Sequence, residues 1–171
     1  MAVRKSAPPV SINSAEVGRL LNSGAIHLLR ALREVDRASG LTPARLSALS
    51  VLVFGGPGTL GRLADAEGVA GPTMTRIVDG LCDLGLAARR PHPDSARSVQ
   101  IVATDEGTTL MRQAASARLE TLALAMAHLS PGDQKRLAAS AHLLEKVAGG
   151  VRDVVRARST GQTSTVPPAR Q

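Results

Sequence analysis

From Ser14 to Ser39, apolar residues recur at Val17, Leu21, Ala25, Leu28, Leu32 and Val35, spacings of four and three that align them on one helical face. Leu20, Ile26 and Leu29 widen that face beyond what one neighbour covers, so the pattern predicts a helix packed against two bodies. Gly40 closes it. Thr42 and Pro43 then open a second helix as cap and first-turn proline, carrying Leu46, Leu49 and Val53 as far as Gly55-Gly56-Pro57-Gly58, a run no helix crosses. Thr59 caps a short helix with Leu60, Leu63 and Ala64 on its apolar side. After a turn at 68–71, Pro72 opens another, with Ile77, Val78 and Leu81 inward, and Gly85 closes it. Two short helices about a turn of three or four residues make a helix-turn-helix.

The period then changes. Residues 86–90 and 98–103 read as two strand-like arms about a Pro/Asp/Ser turn at 91–96, with Val99 and Ile101 alternating inward. Helical spacing returns from Asp105 to about His128, with Leu110, Ala114, Ala117 and Leu124 on one side and Met111, Leu122 and Met126 on another. Ser130-Pro131 begins a last helix bearing Leu137, Ala141, Leu144 and Val147, which Gly149-Gly150 either ends or interrupts. Residues 1–13 and 158–171, rich in Pro, Ser and Thr with few apolar anchors, are expected to be disordered. The fold class is therefore mainly α with one small β-hairpin.

Composition sharpens this picture. Apolar residues make up 43% of the chain, yet Phe54 is the single aromatic, so the core is aliphatic. Without stacking platforms the chain is poorly suited to single-stranded nucleic acid. The net charge of +7 suggests an anionic partner, although an arginine-rich bias also follows from a high-GC genome. Cys82 is the only cysteine, which excludes an intrachain disulfide and makes a cytoplasmic location the expectation. The first residues lack the apolar stretch of a signal peptide, and no run of about 18 apolar residues exists, so no membrane partner is expected.

Helix-turn-helix, basic hairpin, long helix: this order is the layout of a winged helix, whose recognition helix enters the major groove of double-stranded DNA while the wing reaches the flanking minor groove. Thr73, Thr75 and Arg76, in the first turns of the recognition helix, are the expected base and phosphate contacts. Arg89 and Arg90 alternate faces on their strand, so at most one meets the groove directly. Arg97 is the candidate minor-groove arginine, the alternative being a structural ion pair with Asp79 or Asp94.

Over roughly residues 14–147 the sequence resembles the multiple-antibiotic-resistance regulator (MarR) family of winged-helix transcriptional regulators. The resemblance rests on Leu63-Ala64 with Gly68-Val69, on "TMTRIVDGL" (73–81) with Gly85-Leu86, on "RRPHPD" (89–94) with Arg97, and on "TDEG" (104–107). It implies a homodimer, with dimerisation and support from 14–58, a DNA-binding winged helix-turn-helix over 59–104 and dimerisation helices over 105–157. It further implies a small-molecule effector, for which His27, Arg30 and Ser47 are the candidate contacts. Four positions depart from the family pattern. Ser95-Ala96-Arg97 stand where an Asp and two basic residues are common, Ala70 replaces the serine before the recognition helix, and Arg62 replaces a glutamate. Residues 59–104 also carry five arginines against five acids, so the excess charge lies elsewhere.

The expected function is that of a sequence-specific regulator, a repressor released by an effector. Two alternatives stand beside it: a winged helix serving as a protein-interaction module, and a redox-responsive regulator using Cys82. Asp79 and Asp83 oppose the thiolate that redox chemistry needs, which favours a packing role for Cys82. His27, His92, His128 and His142 show no metal-ligand spacing. The Gly55–Gly58 run joins two helices and lacks the lysine and hydroxyl of a phosphate loop, so neither cofactor nor enzymatic activity is expected.

Overall fold

The structure, a computed structural model, describes residues 13–92 and 95–159, with the side chains of 95–97 and 159 left aside. The flanks expected to be disordered fall almost wholly outside these residues. The chain order is α1 (Ser14–Arg37), α2 (Pro43–Gly55), α3 (Leu60–Glu67), α4 (Gly71–Asp83), β1 (Ala87–His92), β2 (Ser95–Ala103), α5 (Asp105–Ala127) and α6 (Pro131–Ser159). The chain divides into two compact units, residues up to 121 and residues from 122 onward.

Local chemistry sets the helix ends of the first unit. The Asn13 side chain caps α1 by accepting from the Ala15 N–H, one residue before the predicted start. Thr42 and Thr59 do the same for α2 and α3, accepting from the N–H groups of Arg45 and Arg62. Gly68, at φ 64°, ends α3 in the left-handed region that glycine enters without strain. Ala70 gives α4 no side-chain cap.

The core of this unit gathers Leu49, Leu63, Met74, Val78, Leu81 and Ile101, all below 2% exposed. On α4, Met74 takes a buried position the spacing did not predict, and Ile77 is only half-buried. The Gly55–Gly58 run is a structural element as well as a break. Gly58 N–H donates to the Ile101 carbonyl at 3.1 Å and Ile101 N–H donates to Gly58 at 2.8 Å, which ties the loop to the base of the hairpin. Arg62 fixes the same loop, its guanidinium donating to the carbonyls of Gly55 (2.8 Å) and Pro57 (3.0 Å).

The hairpin is longer than its sequence pattern predicts. Pairing runs from Ala87↔Ala103 out to His92↔Ser95, so both arms extend into the stretch expected to be turn, with an irregularity at Pro91/His92. Val99 does not face the interior: it is 51% exposed while Ile101 is fully buried. Both lie on one face of β2, but only the base of the ladder has helices beneath it.

Asp36 and Arg118 join α1 to α5 through two parallel hydrogen bonds of 2.7 Å, with the Asp36 side chain 16% exposed. Beyond that anchor, α1 buries only Leu32. In the second unit Ser130 caps α6, accepting from the Asp133 N–H at 3.1 Å. The helix runs straight through Gly149-Gly150. Among its described residues none is buried, and Leu137, Leu144, Val147, Val151 and Val154 are each about half-exposed.

Candidate nucleic-acid interface

Three buried side chains, Met74, Val78 and Leu81, seat α4 on the core and thereby turn its opposite side to solvent. Thr73 and Arg76, one helical turn apart, occupy that outer side and are exposed. Thr75 differs from them. It is half-buried, and its hydroxyl donates to the Gly71 carbonyl at 3.0 Å, which directs the group at its own helix.

The ladder separates the two arginines of β1. Arg89 stands opposite Ile101 and therefore shares its inward face, whereas Arg90 stands opposite Gln100 on the other. From that face Arg89 reaches Asp79 of α4 at 2.7 Å. The sequence offered Asp79 as a partner for Arg97; the structure pairs it with Arg89, and the Arg97 side chain lies outside the described residues. With both groups more than a third exposed the pair adds little stability. Its consequence is geometric, since it braces the wing against the recognition helix. Arg90 is exposed and makes no ion pair among the described residues.

Cys82 packs against the core at partial burial. Burial pushes its thiol pKa upward; Arg89 opposes that, and the carboxylates of Asp79 and Asp83 reinforce it. A raised pKa leaves less thiolate at neutral pH. Alkylation of Cys82 by iodoacetamide at pH 7.5 should therefore run at least several-fold slower than that of a short peptide thiol. A rate equal to the peptide's would restore the redox reading.

His27 and Arg30 on α1 and Ser47 on α2 are exposed, and no hydrogen bond between their side chains exists among the described residues. No group of three or more His, Cys, Asp or Glu side chains placed to hold a metal occurs among those residues. No helix there is long and apolar enough to cross a membrane. Sequence reasoning missed the roles of Arg62 and Asp36. Both act through partners that no periodicity marks, since a guanidinium can reach a carbonyl or carboxylate from any register.

Comparison with known proteins gives consistent results. Residues 39–98 match the sequence profile of the MarR family. A helix-turn-helix-type transcriptional regulator of Mycobacterium bovis is 34% identical over 132 residues, spanning 77% of this chain and 92% of that protein. Among solved structures, Rv1404 of Mycobacterium tuberculosis superposes with a TM-score of 0.71 at 25% identity, covering 81% of this chain and 97% of that one. NadR, crystallised in complex with 4-hydroxyphenylacetate, superposes with a TM-score of 0.61 at 20% identity, covering 86% and 98%.

Proposed function

The chain belongs to the MarR family of winged-helix transcriptional regulators, and from that membership we propose that it works as a homodimeric repressor, released from DNA by a small molecule. The observation that carries the DNA reading is the exposed Thr73–Arg76 face of α4, held beside a wing that Arg89 and Asp79 brace. An exposed helix face of that kind is what the major groove admits.

A two-fold dimer meets two major grooves on one side of the duplex, so the operator is a near-palindrome with half-site centres about 10 base pairs apart. Residues 59–104 carry the DNA contacts, while 14–58 and 105–157 supply support and dimerisation. Thr73, Arg76, Arg90 and Arg97 are the proposed contacts; Thr75 and Arg89 act nearby through their bonds to Gly71 and Asp79. For the effector, His27, Arg30 and Ser47 offer exposed polar groups on α1 and α2. The aromatic acid bound by NadR supports trying small carboxylates first.

Gel retardation with the DNA upstream of the chain's own gene tests the reading. Specific retardation that weakens steeply with salt is expected. A protein-interaction module would give none. Arg76 and Arg97 should then fail differently. Arg76→Ala should cost about 1–3 kcal/mol at the half-site core, or uniformly if it holds phosphate. Arg97→Ala should cost a similar amount mainly at A·T-rich flanks, where a narrow minor groove concentrates negative potential. Titration of operator variants decides: a folded Arg97→Ala dimer that binds like the parent removes Arg97 from the interface.

A further inference from the structure

Gly80 is buried although it lies on the outer side of α4. Thr73, Arg76 and Gly80 fall at i, i+3 and i+7, one stripe along the helix, and the other two are exposed. What covers Gly80 is a side chain from another helix. A Cβ placed on it would land on the Nη2, Cζ and Nε atoms of Arg45, from the first turn of α2. The absent side chain at 80 leaves a gap in the reading stripe, and a guanidinium fills it.

Among the described residues no acceptor is bonded to the Arg45 guanidinium. Arg45 sits at the N-terminal end of α2, where the helix dipole favours negative charge, and no acid stands in that first turn. Asp79, beside Gly80 on α4, is engaged by Arg89. Arg45 is only half-buried, so its N–H groups remain open to solvent. The fitting partner is an anion from outside, approaching the face on which Arg76 already stands.

We propose that Arg45 is a DNA-contacting residue, laid across the Gly80 gap so that its guanidinium donates to a backbone phosphate beside the recognition helix. This inference rests on the DNA-binding reading above. A phosphate contact carries no base preference and releases about one counterion.

Arg45→Gln, which keeps most of the reach and removes the charge, should bind both operator and unrelated duplex about five-fold more weakly at roughly 0.15 M salt. Its plot of log affinity against log salt should be shallower by about 2, since the proposed dimer loses one phosphate contact from each protomer. Gly80→Ala adds a methyl group whose nearest neighbours are the flexible end of Arg45, so it should keep or raise the melting temperature while losing affinity by a similar factor. The double variant should be no weaker than the worse single one, because both remove one contact. Fluorescence anisotropy on the two duplexes, with melting curves alongside, supplies every reading. An unchanged salt slope in a folded Arg45→Gln protein overturns the proposal, as does a loss confined to particular base pairs. Loss of melting temperature by both variants overturns it too, since Arg45 is then a packing residue. If the parent protein binds no duplex, the DNA reading itself falls, a result distinct from any of these.

Discussion

Gly107→Ala should destabilise the winged-helix unit by about 2–4 kcal/mol, lowering its melting temperature by roughly 5–10 °C. Gly107 is buried in the first turn of α5, and a Cβ there would fall on the Leu86 carbonyl oxygen. That oxygen is backbone and cannot swing aside. It already accepts from the Thr104 N–H at 3.1 Å, while Thr104 donates its hydroxyl to Gly85 at 2.7 Å and caps α5 by accepting from Gly107 at 3.0 Å. Relief of the clash must therefore push α5 off the base of the wing and loosen three hydrogen bonds together. Alanine's better helix propensity returns about 1 kcal/mol, too little to offset this. Gly61→Ala is the matched control, because the added methyl at this exposed position of α3 meets nothing nearer than the Thr59 hydroxyl at 4.0 Å. Its melting temperature should hold or rise. A Gly107→Ala protein melting within a degree of the parent would show that α5 and the wing are not locked in this way.

The contrast between these glycines marks where sequence reading succeeds. Caps at Thr42 and Thr59, the break at Gly55–Gly58 and the stop at Gly85 are local events, decided within a few residues, and the structure has them where the pattern puts them. Burial was legible on the short helices α3 and α4, as at Leu63, Val78 and Leu81, but not on the long α1 and α6: of the apolar face read on α1 only Leu32 is buried, and none of that read on α6. It failed at Val99, whose alternation with Ile101 is real but whose position lies beyond the helices that cover the base of the hairpin.

For the candidate contact residues, exposure was legible more than pairing. The exposed stripe of Thr73 and Arg76 follows from the inward set on α4, so helical period alone places it. Which acid meets which arginine does not follow, because Arg89 reaches Asp79 only once the ladder register has set it opposite Ile101. Asp36 and Arg118 stand 82 residues apart. The same limit hid Arg45, since a glycine on an outer helix face looks in sequence like a simple gap, whatever side chain covers it.

Replacing both Leu144 and Val151 by glutamine should convert a dimer into monomers at micromolar concentration and reduce operator affinity by about 10³ or more. The argument begins with α6 itself, 29 residues long and without one described residue buried in the chain. Helices in proteins draw most of their stability from packing an apolar face, and Leu137, Leu144 and Val151 repeat at intervals of seven, with Val147 between the last two and Val154 three residues beyond. Such a stripe is stable when a second copy covers it; in the other unit α1 separately leaves Leu20, Leu28 and Leu29 at least half-exposed. Two substitutions in each of two protomers remove four apolar side chains from the interface, at about 1–1.5 kcal/mol each, or a total near 5 kcal/mol. Dimer dissociation should then strengthen by about 10³ to 10⁴. A released monomer holds one half-site, leaving little beyond non-specific affinity. Glutamine is neutral, so the counterion release of each wing is untouched and the loss cannot be charged to DNA repulsion. Sedimentation velocity and anisotropy on the same preparations read both effects, and melting of the winged-helix unit should be retained. A parent that sediments as a monomer at these concentrations would sink the dimer proposal, and so would a double variant that stays dimeric on its operator.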